Sequence, residues 1–269
     1  MKKAAAPRAR SGETRDAFYH GRIRICQKKR GYRFAVDAPL LADFIRTRKT
    51  DDILEVGTGS GVVSLLLSLK PFRRITALEI QKGLAALAGR NVEANGLAKR
   101  IKVVRGDFRR YRPRRRFDLV FSNPPYIRQA AGCLSGVSEK SIAKHELNGT
   151  IVDLMRKAAE WLKPRGRACF VFPERRREDF DGAAAANGLR VRRLRLVQAR
   201  AGEPANLFLA ELVRAETGAC AGKRGPVAGR RAGAAKRGAA ATIMPPLVLF
   251  GPDGKYTAEA EAIFAGPVS

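Results

Sequence analysis

The sequence predicts an α/β fold, doubly wound around a mostly parallel sheet of seven strands with an antiparallel last strand. From residue 52 onward, short apolar runs typical of strands alternate with longer amphipathic runs typical of helices. The last two apolar runs are separated by too few residues for a crossover helix, so we expect them to pair antiparallel. The chain has 269 residues and 45% hydrophobic content, which is enough for one large buried core.

The elements of this sheet follow one another in a regular order. The predicted strands are ILEVG (53–57), RITALEI (74–80), IKVVRGD (101–107), FDLVFSN (117–123), RACFVFP (167–173), LRVRRLRLVQA (189–199) and NLFLAELV (206–213). The predicted helices are VVSLLLSLK (62–70), KGLAALAGRNVEANG (82–96), TIVDLMRKAAEWLK (150–163) and a segment near 178–187. This alternation places helices on both faces of the sheet.

Composition divides the chain into five parts. We expect a disordered basic tail over 1–14, an N-terminal extension over 15–50 and the main domain over 51–214. Ala, Gly, Lys and Arg dominate 215–242, which predicts a disordered basic linker. Apolar residues return in 243–269, which we expect to dock on the domain.

The N-terminal extension has elements of its own. Residues 22–27 predict a strand, 28–33 a basic turn, and Asp37 the N-cap of a helix over 39–46. No apolar run approaches the length that spans a bilayer, and no apolar segment follows the basic N-terminus. Neither a membrane span nor a secretory signal is therefore predicted.

Charge points to a polyanion as partner. Lys and Arg number 53 against 25 Asp and Glu, and the resulting net charge of +28 favours nucleic acid, although base bias in a genome also produces Arg-rich chains. The four cysteines are scattered without a CxxC pair, and the two histidines lie far apart. We therefore expect reduced thiols, a cytoplasmic location and no metal centre.

Polar and glycine residues stand at the carboxyl ends of the first three parallel strands, where doubly wound sheets bind ligands. The loop EVGTGSG (55–61) has the spacing G-x-G-x-G, which lets the backbone approach a ligand closely but departs from the dinucleotide fingerprint G-x-G-x-x-G. Glu79, about twenty residues beyond the loop, is suited to accept hydrogen bonds from both hydroxyls of a ribose. Asp107 is suited to accept from an adenine amine, with Phe108 against the ring.

The fourth strand ends in the tetrad NPPY (123–126). The prolines have no N–H and fix the backbone, so their carbonyls are acceptors on a stiff turn, while Asn123 adds a side-chain amide and Tyr126 a flat face. Convergent acceptors beside a stacking ring suit a planar group with an NH2, either a base amine or a side-chain amide. Asn-Pro-Pro is also ordinary turn sequence, but four ligand-type strand ends in order favour a binding site.

With these motifs, the chain resembles the class I S-adenosylmethionine-dependent methyltransferases over about 52–213. The resemblance implies a Rossmann-like fold and S-adenosyl-L-methionine as cofactor, held by the glycine loop and by the acids after the second and third strands. The cofactor-binding residues implied in this way are Glu55, Gly57, Thr58, Gly59, Gly61, Glu79, Asp107, Phe108 and Asn123.

A narrower resemblance connects the chain with the bacterial tRNA(Val) adenine-N6 methyltransferases. The matching segments are GYRFAVDAPLLADF (31–44), EIQ (79–81), AKHE (143–146) and PPLVLFGPDGKYTAEAEAIF (245–264). The resemblance implies N6-methylation of the adenine next to the anticodon of a tRNA. The catalytic residues would be Asn123, Pro124, Pro125 and Tyr126. The linker departs from the family pattern as an insertion.

Other functions share parts of this pattern. A protein methyltransferase that modifies a glutamine N5 in release factors uses the same tetrad, although the long N-terminal helical domain for a protein substrate is lacking. A DNA adenine methyltransferase would need a target-recognition segment that is not evident, and the glycine spacing disfavours an oxidoreductase. Outside enzymes, a basic RNA-binding protein without catalysis shares the charge.

Topology sorts the basic residues into two groups. Those after parallel strands share the reaction face, and we expect them to bind RNA together with the basic turn. They are Lys28, Lys29, Arg30, Arg33, Arg109, Arg110, Arg128, Arg175, Arg176 and Arg177, with Arg200 beside them. Residues before the strands are expected to be a plain solvated surface, and examples are Arg73, Arg74, Arg114, Arg115 and Arg116. The expected partner is tRNA or another RNA, with no membrane and no metal, and we expect a monomer.

Overall fold

The computed structural model describes residues 9–30, 36–124, 150–215 and 240–266. The strands are β1 (Glu13–Phe18), β2 (Ile23–Lys28), β3 (Asp52–Val56), β4 (Arg74–Glu79), β5 (Ile101–Arg105), β6 (Phe117–Ser122), β7 (Leu162–Pro173), β8 (Leu189–Gln198), β9 (Ala205–Arg214), β10 (Thr242–Ile243) and β11 (Leu247–Val248). The helices are α1 (Asp37–Phe44), α2 (Val62–Leu67), α3 (Lys82–Ala94), α4 (Ile151–Trp161), α5 (Arg177–Ala186) and α6 (Ala258–Ala265), and a 3-10 turn covers Glu174–Arg176.

One nine-stranded sheet runs through the centre in the order β10-β8-β9-β7-β6-β3-β4-β5, with β11 also paired to β8. The pairs from β7 across to β5 are parallel, whereas β9 is antiparallel to both β7 and β8. The predicted mostly parallel sheet with an antiparallel last strand is therefore confirmed, but it has nine strands rather than seven, because β10 and β11 of the C-terminal segment extend it. Two edges follow from this arrangement. The carboxyl edge is where β3 to β7 end, and the amino edge is where they begin.

Apolar side chains fill both faces of the sheet. On one face, α1, α2 and α6 pack on the strands, with fully buried Leu41 and Leu65 in the cluster. On the other face, α4 and α5 cover a second cluster that includes Trp161 and Phe180. Helices on both faces are the doubly wound arrangement that the alternating pattern predicts.

Two element boundaries in the N-terminal part differ from the prediction. The basic tail was expected to reach residue 14, but β1 begins at Glu13 and pairs antiparallel with β2 as a hairpin. Asp37 is not the N-cap of α1, because the helix begins at Asp37 and Val36 precedes it without a side-chain cap. Asp37 instead lies in the first turn, where a carboxylate interacts favourably with the helix dipole.

The hairpin of β1 and β2 is attached to α3 by side-chain amides. Asn91 Oδ1 accepts the Cys26 N–H at 2.8 Å, and Asn91 Nδ2 donates to the Cys26 carbonyl at 2.9 Å. One turn later, Asn95 makes the same pair of bonds with the backbone of Arg24 at 3.0 and 2.7 Å. The two amides thus form the backbone hydrogen bonds that a neighbouring strand would form, and they attach the hairpin to the helix.

The C-terminal segment returns to the sheet. Strands β10 and β11 both run parallel to β8, and Leu247 and Ile263 are buried in the core. Arg195 of β8 holds the segment by donating to the Pro245 carbonyl at 3.1 Å and to Glu259 Oε1 at 2.5 Å. Among the described residues, no helix combines the length and apolarity needed to cross a membrane.

Candidate active site

Strand register brings the ends of β6, β3, β4 and β5 into one row at the carboxyl edge. Val56 of β3 pairs with Ser122 of β6 on one side and with Leu78 of β4 on the other. On the next strand along, Glu79 pairs with Arg105 of β5. The Ser122 hydroxyl also donates to the Val56 carbonyl at 2.7 Å, which joins the ends of β6 and β3.

The predicted site residues come directly after these paired positions. Gly57 follows Val56 and Asn123 follows Ser122, while Glu79 ends β4 and Asp107 stands two residues beyond β5. Neighbouring strands lie about 4.8 Å apart, so the row spans three strand spacings or about 14 Å. The structure therefore brings together residues that are up to 66 positions apart in the sequence, from Gly57 to Asn123.

The glycine loop turns sharply between β3 and α2. Gly57 has φ 75°, and the N–H groups of Gly57 and Thr58 both donate to the Leu78 carbonyl, at 2.9 and 3.0 Å. Gly61 has φ 88°, and a side chain there would begin 3.4 Å from Ala88 of α3. The loop consequently needs glycine at both positions, for the turn and for close packing on α3.

Glu79 is held in a fixed orientation by backbone N–H groups. Its Oε2 accepts from Gly59 at 2.9 Å and its Oε1 accepts from Gln81 at 2.9 Å. The side chain is buried, and this burial raises the pKa of Glu79 above its ordinary value despite the backbone hydrogen bonds. A carboxylate can accept about four hydrogen bonds, so Glu79 keeps acceptor capacity for a ligand hydroxyl.

Glu55 lies beneath the glycine loop and is almost completely buried. Its Oε2 accepts the Thr58 hydroxyl at 2.5 Å and also the Ser64 hydroxyl of α2. Burial raises the pKa of Glu55 to about 7, and the neighbouring carboxylate of Glu79 contributes in the same direction. Glu55 therefore braces the loop from below and holds a proton more readily than an exposed glutamate does.

Asp107 has a partner that the sequence did not predict. Arg109 donates to it from Nε at 3.1 Å, from Nη2 at 2.7 Å and from the backbone at 2.9 Å, and these bonds lower the pKa of Asp107. Phe108 is half-buried and packs against the apolar cluster under α4. The carboxylate is thus ionised, and part of its acceptor capacity is taken by Arg109.

The tetrad is described only in its first half. Asn123 and Pro124 are partly buried and follow β6 at the carboxyl edge, beside the glycine loop. Pro125 and Tyr126 lie outside the described residues. The assignment of a base-stacking ring to Tyr126 stays a prediction from the sequence.

The basic residues of the reaction face are only partly free. Arg109 pairs with Asp107, and Arg176 and Arg177 pair with Asp179 and Glu174 at 2.9 and 3.3 Å. Arg176 and Arg177 also lie over the rings of Phe172 and Phe208. Lys29, Arg30, Arg110 and Arg175 are exposed, and Arg200 is exposed and pairs with Glu203 at 3.6 Å, whereas Arg33 and Arg128 lie outside the described residues.

The basic turn reaches the same edge as the row. A side chain at Gly83, in the first turn of α3, would begin 3.5 Å from Lys28 Nζ. Helix α3 begins shortly after Glu79, at the carboxyl edge. This contact therefore places the end of β2 at the carboxyl edge, beside the row of strand ends, and not at the amino edge.

Sequence reasoning missed Asn91 as a residue of the site. Besides holding Cys26, its Nδ2 donates to the carbonyl of Ser60 in the glycine loop at 2.9 Å. Asn91 is fully buried, so one amide joins the hairpin, α3 and the glycine loop. The available signal was a polar residue on the apolar face of the helix between Leu87 and Val92. Among the described residues, no cluster of three His, Cys, Asp or Glu side chains is placed to hold a metal ion.

Comparison with known proteins gives consistent results. A family model described as "Methyltransferase small domain" matches residues 34–178. A tRNA1(Val) (adenine(37)-N6)-methyltransferase from Tolumonas auensis is 30% identical over 202 residues, which are 74% of this chain and 83% of that protein. The protein of the same name from Bacteroides fragilis is 29% identical over 190 residues, 70% of this chain and 79% of that protein.

A solved structure supports the fold. The crystal structure of a protein described as a predicted O-methyltransferase from Agrobacterium tumefaciens aligns with a TM-score of 0.58 at 18% identity. The alignment covers 84% of this chain and 94% of the other. At this identity the similarity concerns the architecture alone.

Proposed function

The chain belongs to the methyltransferase small domain family, and from that premise we propose that it methylates the N6 amine of the adenine next to the anticodon of a tRNA, with S-adenosyl-L-methionine as methyl donor. The observation that carries the proposal is the row of Asn123, Gly57 and Glu79 on adjacent strands. The names of the two relatives support the substrate, and the net charge of +28 suits RNA. The proposal places the enzyme in the cytoplasm, where tRNA is abundant.

The residues of the row fit the cofactor. A side chain at Gly57 would meet no atom within 4 Å, so open space lies beside the loop. Glu79 offers lone pairs to the two hydroxyls of a ribose, and Asp107 offers the acceptor positions that Arg109 leaves to an adenine amine. When bound, S-adenosyl-L-methionine supplies an electrophilic methyl group on a positively charged sulfur.

Asn123 and Pro124 would orient the amine of the target adenine. This amine is a weak nucleophile, because its lone pair is delocalised into the ring. Asn123 Oδ1 and the Pro124 carbonyl each accept one of its N–H groups, which favours a pyramidal nitrogen and directs the lone pair toward the glycine loop. Positioning and electrostatic stabilisation then supply most of the rate enhancement, and no strong base is needed because the product proton leaves to water.

The target base has to leave its stack to reach this edge. In an anticodon loop the base is unpaired, so extruding it costs less than extruding a base from a duplex. Tyr126 is assigned the role of stacking on the base, which typically contributes about 1–3 kcal/mol.

The partition of a labelled methyl group tests the substrate class. The protein is incubated with labelled S-adenosyl-L-methionine, total tRNA and purified release factor in one mixture, followed by separation of RNA from protein. We expect label in the tRNA fraction. Label confined to the release factor would replace the proposal with glutamine methylation, and label in neither fraction would contradict both.

A further inference from the structure

Counting only the described residues, the amino edge of the sheet, opposite the active site, has more exposed cations without an ion pair than the reaction face. Seven exposed cations there have no ion pair with any described carboxylate. They are Arg48, Lys49, Lys99, Arg114, Arg115, Arg116 and Arg165, and we call them the amino-edge surface. They precede β7, β6 and β3, which are neighbours in the sheet, and β5, which β4 separates from β3.

Acidic residues at this edge are already engaged. Asp51 is buried and bound by Arg167 at 2.6 Å, and Asp118 is bound by Lys163 at 2.8 Å. Asp52 is buried and pairs with both Arg73 and Arg74. These three acids are therefore already neutralised by cations outside the amino-edge surface.

Exposed carboxylates on the same side are few. Among the described residues, Asp43 near the end of α1 and Glu93 near the end of α3 have no ion pair, whereas Glu160 near the end of α4 is exposed and pairs with Lys157 at 2.7 Å. Against seven cations, two carboxylates leave a local excess of positive charge that attracts a polyanion.

Two of these cations line a groove. It has a volume of about 350 Å³ and lies between the loop before β3 and the start of β7. Arg48 and Arg165 line it with free guanidinium groups, and its acids, Asp51 and Asp118, are the ones bound by Arg167 and Lys163. Guanidinium groups on both sides of a groove suit phosphate oxygens.

We propose that the amino-edge surface binds the phosphate backbone of the RNA substrate at a distance from the methylated base. The surface is one strand length from the active site, and six residues of β6 correspond to about 20 Å. A folded tRNA is large enough to contact both edges. The inference rests on the proposed RNA substrate and adds a second contact region to it.

Chemistry favours RNA over a protein partner or a membrane. The exposed large apolar residues of the described chain are Ile80, Val152, Ile243 and Tyr256, and none belongs to the amino-edge surface. Protein interfaces have an apolar core, and membrane-binding surfaces insert apolar groups. A surface of guanidinium groups without either matches phosphate contacts, which set position and affinity without reading sequence.

The test compares two charge-neutralised variants with equal loss of charge. One is R114Q/R115Q/R116Q on the amino-edge surface, and the matched control is R10Q/R24Q/K255Q on the hairpin and the C-terminal segment. All six side chains are exposed, and no ion pair joins any of them to a described carboxylate, so both proteins are expected to fold. Binding is measured against salt concentration for a full-length tRNA and for a short anticodon stem-loop.

We expect a large loss of binding only for the arginine variant and only with full-length tRNA. For full-length tRNA, the triple arginine variant should bind about 10- to 100-fold more weakly at low salt, and the slope of log K against log salt should fall by about 2–3. The control variant should change the slope by less than about 1. Binding of the short stem-loop should change little in both variants, because it does not reach the amino edge.

Three outcomes would overturn the inference. Equal slopes for wild type and the arginine variant with full-length tRNA would show that the surface does not contact RNA, even if methylation of tRNA proceeds. If the control variant lost as much affinity for full-length tRNA, the loss would reflect the lower overall charge and not the amino-edge surface. If the arginine variant bound phosphatidylserine vesicles more weakly than wild type but bound tRNA equally well, the surface would be a membrane-binding surface. If no RNA is methylated but the slope falls only in the arginine variant, the surface stands and the proposed function fails.

Discussion

The two edges of the sheet differ in how their arginines are paired with acids. At the carboxyl edge, Arg109, Arg176 and Arg177 are paired with acids beside the site, so they order the loops around it. At the amino edge, Asp51 and Asp52 are buried in ion pairs, whereas arginines such as Arg114 and Arg165 have no ion pair with a described carboxylate. Among the described residues, ion pairs therefore engage several of the arginines beside the site, while the amino edge has the larger set of exposed cations without an ion pair.

This difference changes how the basic residues are interpreted. Position relative to the parallel strands predicted which cations share the reaction face, and it grouped Arg73 and Arg74 with 114–116 as a solvated surface. The structure separates them, because Arg73 and Arg74 bind Asp52 while 114–116 do not bind a described carboxylate. A count of arginines at an edge is thus a poor guide to RNA binding unless the ion pairs are known.

The largest effect is expected at the carboxyl edge, from Asn123→Ala. Loss of one preorganised polar group in an active site typically lowers kcat by about 100- to 1,000-fold. Cofactor affinity should change by less than about threefold, because the glycine loop and Glu79 are untouched. Calorimetry with the cofactor and single-turnover rates on tRNA provide both values. Near-normal turnover would remove Asn123 from the mechanism.

Glu55→Gln tests the proton held beneath the glycine loop. Burial raises the pKa of Glu55 to about 7 from 4.5, so the folded protein keeps a proton that the unfolded chain releases. Stability then falls as pH rises from about 4.5 to about 7, and levels off above that. Gln has no such proton and keeps an oxygen for Thr58 and Ser64.

Between pH 4.5 and 7.5, we expect wild type to lose on the order of 3 kcal/mol of unfolding free energy relative to Glu55→Gln. Urea unfolding at several pH values measures the difference. Parallel pH curves for the two proteins would show that Glu55 has an ordinary pKa in the folded state.

Asn91→Ala, compared with Asn95→Ala, tests whether Asn91 supports the glycine loop as well as the hairpin. The variant leaves three buried backbone groups without a partner, and each such loss costs about 1–3 kcal/mol, part of which relaxation of the hairpin recovers. Because the Ser60 carbonyl is one of them, we also expect weaker cofactor binding.

The matched control is Asn95→Ala, which releases the hairpin at Arg24 but does not touch the glycine loop. It should lower stability without lowering cofactor affinity. Equal effects of the two variants on cofactor affinity would show that Asn91 acts only through the hairpin.

The smallest effect concerns 175–177. Arg175 is exposed and unpaired with any described carboxylate, so Arg175→Ala should lower the salt slope of RNA binding by about 1. Arg176→Ala and Arg177→Ala remove side chains that pair with acids and cover aromatic rings, so they should act mainly on stability, by about 1 kcal/mol or less. Three equal slope changes would mean that the ion pairs open when RNA binds.

The sheet and the row of strand ends were predictable because their signals are local. Gly57, Glu79, Asp107 and Asn123 each stand at the end of an apolar run, and parallel strands bring such ends together without further information. The charged hairpin strand β1 was missed, because ETRDAF has no apolar face that marks it as a strand.

Partners of individual side chains were not predictable. Asn91 between Cys26 and Ser60 depends on how α3 packs against the hairpin and the glycine loop, and Arg109 on Asp107 depends on the conformation of the turn after β5. The same holds for the free arginines of the amino edge, because the acids that neutralise their neighbours are distant in sequence or buried.

The atom that receives the methyl group is the most direct test of the account. Transfer RNA is incubated with the protein and labelled S-adenosyl-L-methionine, digested to nucleosides and separated with mass detection. Because Asn123 Oδ1 and the Pro124 carbonyl each accept one hydrogen of an exocyclic amine, the account predicts N6-methyladenosine as the labelled product. Label in 1-methyladenosine, in 2-methyladenosine or on a ribose oxygen would contradict it, since none of these positions has an NH2 group.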